Sequence, residues 1–195
     1  MSSIRSFVAI PIPDTIKKSV QDWIEPFRRH DSSIRWIKPE GIHLTLKFLG
    51  NVEEERFEKE FFFDFKQLCT PFRPIRLVAD MVGQFPPRGT PRILWVGLSG
   101  RAGVAGDLDP LKQLAQSVDN FFERFGFPKE KRAFAPHMTI ARIKEKPSSG
   151  FLKKWHEVGV VSFGEFVADR VVFYRSELTK TGAVYRVIKE FQLLT

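Results

Sequence analysis

Cysteine is almost missing from these 195 residues: Cys69 stands alone. One thiol excludes an internal disulfide and any cysteine-built metal cluster, and it fits a reducing compartment. Long apolar runs are missing too, and none approaches the roughly 20 residues that span a bilayer. The opening, Met1-Ser2-Ser3-Ile4-Arg5, leads into a short apolar stretch that meets Pro11 and Pro13 with no small-residue cleavage pattern, so it does not read as a signal peptide. The glycine-rich stretch from Gly97 to Gly106 lacks the lysine and hydroxyl residue that finish a phosphate-binding loop, and it reads as a flexible connection. Together these absences lead to the expectation of a cytoplasmic protein with no membrane association.

Positive charge and phenylalanine are what the chain has in excess. Thirty-one Lys and Arg against 23 Asp and Glu leave a formal charge of +8, which favours polyanionic partners such as RNA, DNA or an acidic membrane surface. Twenty phenylalanines, in a chain that is 43% hydrophobic, foretell an aromatic core. The length suits one domain, or two small lobes sharing a core.

One short pattern is written twice. Ile42-His43-Leu44-Thr45-Leu46 returns as Pro136-His137-Met138-Thr139-Ile140. Successive side chains of a strand point to opposite faces, so His43 and Thr45 share one face while Leu44 and Leu46 share the other. His137 and Thr139 repeat that geometry against Met138 and Ile140. The other two histidines, His30 and His156, lack the pattern and read as structural.

The flanking chain alternates strands and helices. Ile4 to Pro11 reads as a strand, and Asp14 as the cap of a helix to about His30 with Ile16, Val20, Ile24 and Phe27 on one face. Ile34 to Ile37 is a short strand, and Ile42 to Leu49 the first motif strand. Strict alternation there turns Ile42, Leu44, Leu46 and Phe48 inward and His43, Thr45 and Lys47 outward. A phenylalanine-rich helix follows from Val52 to about Thr70, then strands over Pro74 to Val82 and Arg92 to Leu98, joined by a turn-rich segment from Phe85 to Pro91. A third helix from about Asp107 carries Leu111, Leu114, Val118, Phe122 and Phe125 in register and ends at Gly126 and Pro128. Phe134 to Ile143 holds the second motif, Phe151 to Trp155 a short helix, and two or three strands close the chain, roughly Val160 to Val167, Arg170 to Glu177 and Ala183 to Phe191, with a hairpin turn at Thr179-Lys180-Thr181-Gly182. The spacing predicts an α+β protein with two antiparallel-rich sheets, helices outside, and an approximate internal repeat that brings the motifs together.

Two histidines facing one pocket are either metal ligands or an acid–base pair. A hydrolytic metal site adds carboxylates or a third histidine, and neither motif carries one, so the acid–base reading leads. Imidazole titrates near neutrality, so one ring accepts a proton while the other donates one. Threonine hydroxyls beside them suit phosphoryl oxygens, and Arg142 is the candidate cation for the developing charge. Strict alternation sets Arg142 on the Met138 face, so its reaching the pocket requires a strand end or a bulge.

The paired His-x-Thr-x motifs resemble the two-histidine (2H) phosphoesterase superfamily. Phe7-Val8-Ala9-Ile10, the run from Trp36 through His43-Leu44-Thr45-Leu46 to Gly50, Phe85-Pro86, Leu94-Trp95-Val96-Gly97, Phe134 to Arg142 and Tyr174-Arg175-Ser176-Glu177-Leu178 are similar to its LigT/ThpR branch. The resemblance implies a bilobal pseudo-twofold fold over residues 1–195, one motif in each lobe. It also implies an RNA 2′,3′-cyclic phosphodiesterase, also known as 2′-5′ RNA ligase, that uses no metal or cofactor. Carried over, His43 is the proton donor and His137 the proton acceptor, while Thr45, Thr139 and Arg142 bind the phosphate. Met138 stands where leucine is common, on the core face. The partner expected is RNA with a 2′,3′-cyclic phosphate end, or a cyclic nucleotide, bound by a monomer. Two other readings stand beside hydrolysis: 2′-5′ ligation of RNA halves by the same site run backwards, and a non-catalytic module that grips RNA ends.

Overall fold

The structure is a computed structural model that describes residues 2–29, 31, 33–100, 108–179 and 182–194. Strand β1 (Ser3–Pro11) ends at its own proline, which has no backbone donor to continue a ladder. Helix α1 (Asp14–Arg28) then buries Ile16, Val20, Ile24 and Phe27, the stripe expected from their spacing. Pro13, not Asp14, occupies the cap position, and Asp14 sits in the first turn, paired with Lys17 at 3.2 Å. A carboxylate inside that turn still meets the positive end of the helix dipole.

β2 (Ile34–Trp36) leads through a 3₁₀ turn, Pro39–Gly41, to β3 (His43–Glu53). β3 outruns its expected end and takes in Val52. The following helical segment is not uniform: α2 (Glu54–Arg56) passes through a π-helical turn, Phe57–Phe61, into α3 (Phe62–Cys69). The wider turn lets the adjacent Phe61 and Phe62 both be buried. The remaining elements are β4 (Ile75–Phe85), β5 (Ile93–Ser99), α4 (Asp109–Glu123), β6 (His137–Ile143), α5 (Ser149–His156), β7 (Gly164–Ala168), β8 (Arg170–Thr179) and β9 (Gly182–Gln192). His30, the 101–106 part of the glycine-rich stretch, Asp107 and the Lys180-Thr181 turn lie outside the described residues.

All neighbouring strands pair antiparallel, in the order β7-β4-β5-β6-β3-β1-β8-β9, with β2 also on β6. Two four-strand sets mirror each other, β3-β1-β8-β9 and β6-β5-β4-β7, and the motif strands β3 and β6 meet at the seam. The α+β architecture is as expected, with the two antiparallel sets hydrogen-bonded into one nine-stranded sheet. The last hairpin, β8–β9, returns to complete the set that β1 began, while β4 and β7 belong to the other. Among the described residues no helix is long and apolar enough to cross a membrane.

Phenylalanines fill the space between the helices and one face of the sheet. Phe65 meets Phe173 at 4.7 Å and Phe121 at 5.3 Å between ring centroids, and Phe61 meets Phe122 at 5.5 Å, mostly edge to face. That arrangement sets ring edges against ring faces, the preferred geometry of their quadrupoles.

Strict alternation fails in β3, and the failure has a definite place. Ala9 pairs with Thr45 and Val8 with Lys47, so Leu46 is an extra residue without an opposite number on β1. Leu46 and Lys47 both turn to the core, and Phe48, expected inside, is 59% exposed on the opposite face. Lys47, expected outside, is buried. Its ammonium meets the Asp119 carboxylate of α4 at 2.5 Å and the Pro128 carbonyl at 2.5 Å, and the Glu130 amide donates to the same carboxylate at 3.2 Å. A buried charge needs this degree of satisfaction to be tolerated.

Lys47→Ala leaves Asp119 buried without its cation and is expected to cost about 3–5 kcal/mol in urea unfolding. Lys47→Met with Asp119→Leu removes both charges and should recover most of that loss. A double variant as unstable as the single one would show that the pair is not what Lys47 contributes.

Candidate active site

β3 and β6 pair through Leu44 and Met138, both fully buried. The strands run antiparallel, so this pair sets His43 beside Thr139 and Thr45 beside His137. All four polar side chains stand on the face opposite Leu44 and Met138. The two copies of the motif thus lie head to tail across the seam, and each histidine faces the other copy's threonine. Both threonines are partly exposed, and among the described residues neither hydroxyl has a hydrogen-bond partner.

The second motif strand carries the same irregularity as the first. Leu94 pairs with Ala141 and Trp95 with Thr139, so Ile140 is the extra residue, three positions after His137 as Leu46 is three after His43. The burial patterns coincide residue for residue: partly exposed histidine and threonine, three buried positions around the bulge, and one exposed residue five positions after the histidine. That residue is Phe48 in one copy and Arg142 in the other. The bulge therefore carries Arg142 onto the face of His137 and Thr139, the condition that its candidacy required.

Each ring is oriented by a backbone group two residues upstream. Nδ1 of His137 lies 2.7 Å from the Ala135 carbonyl. A carbonyl only accepts, so this nitrogen carries the proton and Nε2 is left for the cleft. His43 hydrogen-bonds the Gly41 backbone in the same relation, a bond that favours the protonated ring.

The walls around the two imidazoles differ. Phe7 of β1 stacks on His43 at 4.6 Å, and Tyr185 of β9 meets it edge-on at 5.1 Å. Tyr174 stacks behind Phe7 at 5.2 Å, and Phe48 lies 6.0 Å to its side. These rings strip water from His43. Burial lowers its pKa to about 4 against the opposing Gly41 bond, and the positive charges of Arg142 and Lys17 lower it further. His137 is met edge-on by Phe85 at 5.1 Å and flanked by Trp95 at 6.4 Å. Trp95 lies flat across Gly83: a Cβ there would sit 2.3 Å from the indole, so the glycine makes room for this wall.

The site residues expected from the sequence, His43, His137, Thr45, Thr139 and Arg142, share one face around the seam. The sequence assigns no site role to the aromatic residues around them, because Phe7 sits in an apolar run that reads as core. Among the described residues, no group of three or more His, Cys, Asp or Glu side chains is gathered in a way that could hold a metal ion. Two imidazoles can move protons beside an anionic, tetrahedral group, to which two hydroxyls and one guanidinium can donate hydrogen bonds.

The depressed His43 value has a consequence for stability. The unfolded imidazole takes up a proton near pH 6.5, whereas the folded one resists it until about pH 4. Between those values the unfolded state binds more protons, so stability falls as pH drops through the window and is unaffected well above it. His43→Gln should flatten that part of the stability curve in urea melts between pH 7.5 and 4.5. A variant that keeps the full wild-type acid loss would place the sensitivity elsewhere.

Residues 10–95 and 104–185 match the family model described as LigT like Phosphoesterase. The RNA 2′,3′-cyclic phosphodiesterase of Methanocaldococcus jannaschii is 32% identical over 192 residues, covering 96% of this chain and 100% of the relative. The enzyme of the same name from Aquifex aeolicus is 31% identical and covers 99% of each chain. A crystal structure of a Thermus thermophilus protein superposes with a TM-score of 0.71 at 28% identity, over 97% of this chain and 98% of that one. E. coli LigT, solved in complex with 3′-AMP, shares the fold with a TM-score of 0.72 at 24% identity over the full length of both chains. A family match over most of the length, with the duplicated motif at the seam of the sheet, means that this chain belongs to the LigT-like phosphoesterase family.

Proposed function

We propose that this protein hydrolyses RNA 2′,3′-cyclic phosphate ends to 2′-phosphomonoesters, with His43 and His137 as acid and base. The observation that carries this reading is the head-to-tail placement of the two motifs around Leu44 and Met138, which sets two imidazoles and two unpartnered hydroxyls on one face. Full-length relatives named RNA 2′,3′-cyclic phosphodiesterase, about 30% identical, support the substrate class. The catalytic unit proposed is the whole of residues 1–195, bilobal, one motif per lobe, acting as a monomer in the cytoplasm and without a metal ion.

In the proposed reaction Thr45, Thr139 and Arg142 hold the non-bridging oxygens of the cyclic phosphate. His137 takes a proton from a water as that water attacks phosphorus. The bond from phosphorus to O3′ breaks, and His43 delivers a proton to O3′, leaving a free 3′-hydroxyl and a 2′-phosphate. The roles of the two rings rest on the family resemblance. In the free protein burial keeps His43 neutral near pH 7. Its donor role therefore draws on the substrate: a bound phosphate sets negative charge beside the ring, offsets Arg142 and favours the imidazolium.

The test is hydrolysis of an RNA ending in a 2′,3′-cyclic phosphate, the product being identified by its loss of phosphate to a phosphatase. Turnover should survive excess chelator. His43→Ala and His137→Ala should each lower kcat/KM by roughly 10² to 10⁴, with unchanged thermal melts. The double variant should be far less impaired than the product of the two, because both rings serve one transition state. The kcat/KM profile should be bell-shaped, and its alkaline limb, the one that reports the protonated donor, should vanish in His43→Ala. NMR titration of His43 should show its pKa rising when a nucleoside 2′-phosphate binds. Variants that melt normally and keep full turnover would end the proposal, as would a His43 value that ignores the phosphate.

A further inference from the structure

The row of residues beside the catalytic face contains a second arginine that the motif does not include. Arg35 of β2 pairs directly with Arg142 of β6, which in turn pairs with Ile93 of β5. Residues directly opposite in an antiparallel pair share a face, so Arg35 stands on the same side of the sheet as Arg142, His137 and Thr139. Both arginines are exposed. Like charges directly opposite one another are destabilising, and a carboxylate between them offsets the repulsion. Arg175 and Arg186 stand opposite one another in the same way on β8 and β9, and Glu177 pairs with both of them. Among the described residues, Arg35 and Arg142 have no such carboxylate. Two facing guanidinium groups without a counter-charge suit a ligand that brings two negative charges.

The two side chains serve different places. Arg142 is close enough to His43 to depress its protonation. Arg35 reaches the other way, toward the tip of the β8–β9 hairpin: its Nη2 lies 3.1 Å from where a Cβ on Gly182 would stand. Gly182 has φ of 141°, a conformation other residues rarely adopt, and the missing side chain leaves the guanidinium room. The cations thus run outward from the catalytic centre: Arg142 near His43, then Arg35, then the hairpin.

We propose that Arg35 binds the phosphodiester on the 5′ side of the terminal nucleotide while Arg142 holds the cyclic phosphate, so that the pair distinguishes an RNA end from a mononucleotide. The proposal rests on the phosphodiesterase reading above for the position of the cyclic phosphate. An RNA with a 2′,3′-cyclic end continues only on its 5′ side, so the next negative charge along it is that phosphodiester. The fork of an arginine suits it, because guanidinium offers paired donors to phosphate oxygens.

The test compares three substrates: adenosine 2′,3′-cyclic phosphate, the dinucleotide ApA ending in the same cyclic phosphate, and that dinucleotide with an uncharged methylphosphonate linkage. Arg35→Gln should lower kcat/KM for the natural dinucleotide about tenfold or more, the effect of losing one charge-assisted contact. It should leave the mononucleotide and the methylphosphonate unchanged. Arg35→Glu should widen the loss, and for longer RNA Arg35→Gln should reduce the salt slope of binding by about 1. Both variants should melt at or above the wild-type temperature, because they relieve the repulsion with Arg142. Equal losses on all three substrates, or a lowered melting temperature with parallel loss, would overturn the proposal by making Arg35 part of the central site or of the fold. An unchanged preference for the natural dinucleotide would overturn it as well. If the wild-type protein turns over none of the three, the phosphodiesterase reading fails. The Arg35 contact is then read by binding of a 2′-phosphate-terminated ApA against its methylphosphonate analogue. Arg35→Gln should abolish any preference for the charged linkage, and a preference that survives would overturn the contact.

Discussion

The seam between β3 and β6 is the constraint on which everything else in this molecule rests. Leu44 and Met138 pair there with no exposure to solvent, and the antiparallel register leaves no freedom in how the neighbouring residues meet. A slip of one residue in either strand would turn its histidine and threonine into the core and its apolar residues into the cleft. The apolar halves of the two motifs thus hold the polar halves in place. The chemistry is positioned by residues that take no part in it.

The paired bulges at Leu46 and Ile140 are the second device, and they act alike in both strands. Each adds one residue and so exchanges the faces of the residues that follow it, in β3 as far as a second extra residue at Leu49. In β6 the exchange carries Arg142 onto the face of His137 and Thr139. In β3 it carries Lys47 into the core, where Asp119 and the Pro128 carbonyl satisfy it, and Phe48 out to the cleft face. From one repeated backbone feature the molecule obtains a cation on one side and an aromatic surface on the other. The two halves are alike in topology and opposite in chemistry: rings crowd His43, while guanidinium groups extend beyond His137. Desolvation by Phe7 and Tyr185 and the nearby charge of Arg142 act on His43 in the same direction. An anion placed between the halves would offset the charge of Arg142 and favour the protonated ring.

Reading the chain in order identifies the two motifs, the amphipathic stripe of α1 and the α+β character, because each depends on periodicity within a short segment. It misplaces Lys47 and Phe48, because a bulge in β3 leaves no mark in a run of apolar residues. The phenylalanines illustrate the same limit. Phe65 and Phe173 are core, and Phe7 is the face on which His43 stacks, yet all three sit in similar apolar surroundings in the sequence. What separates them is which face of the sheet the helices cover, and that is a property of the assembled layers.

The sequence by itself determined which residues could do chemistry here: a duplicated His-x-Thr pattern, alternating with apolar partners, is legible because side-chain direction in a strand follows a period of two. It also determined an aromatic core and a positive surface, since both follow from composition. Only the tertiary structure decided that the motifs lie head to tail, that Arg142 shares the face of His137, that Arg35 stands opposite Arg142, and that the C-terminal hairpin returns to bring Tyr174 and Tyr185 beside His43. Each of these depends on pairing between strands far apart in the chain. Such pairing is selected by how much apolar surface the whole sheet buries against its helices, a quantity that no local stretch of residues contains.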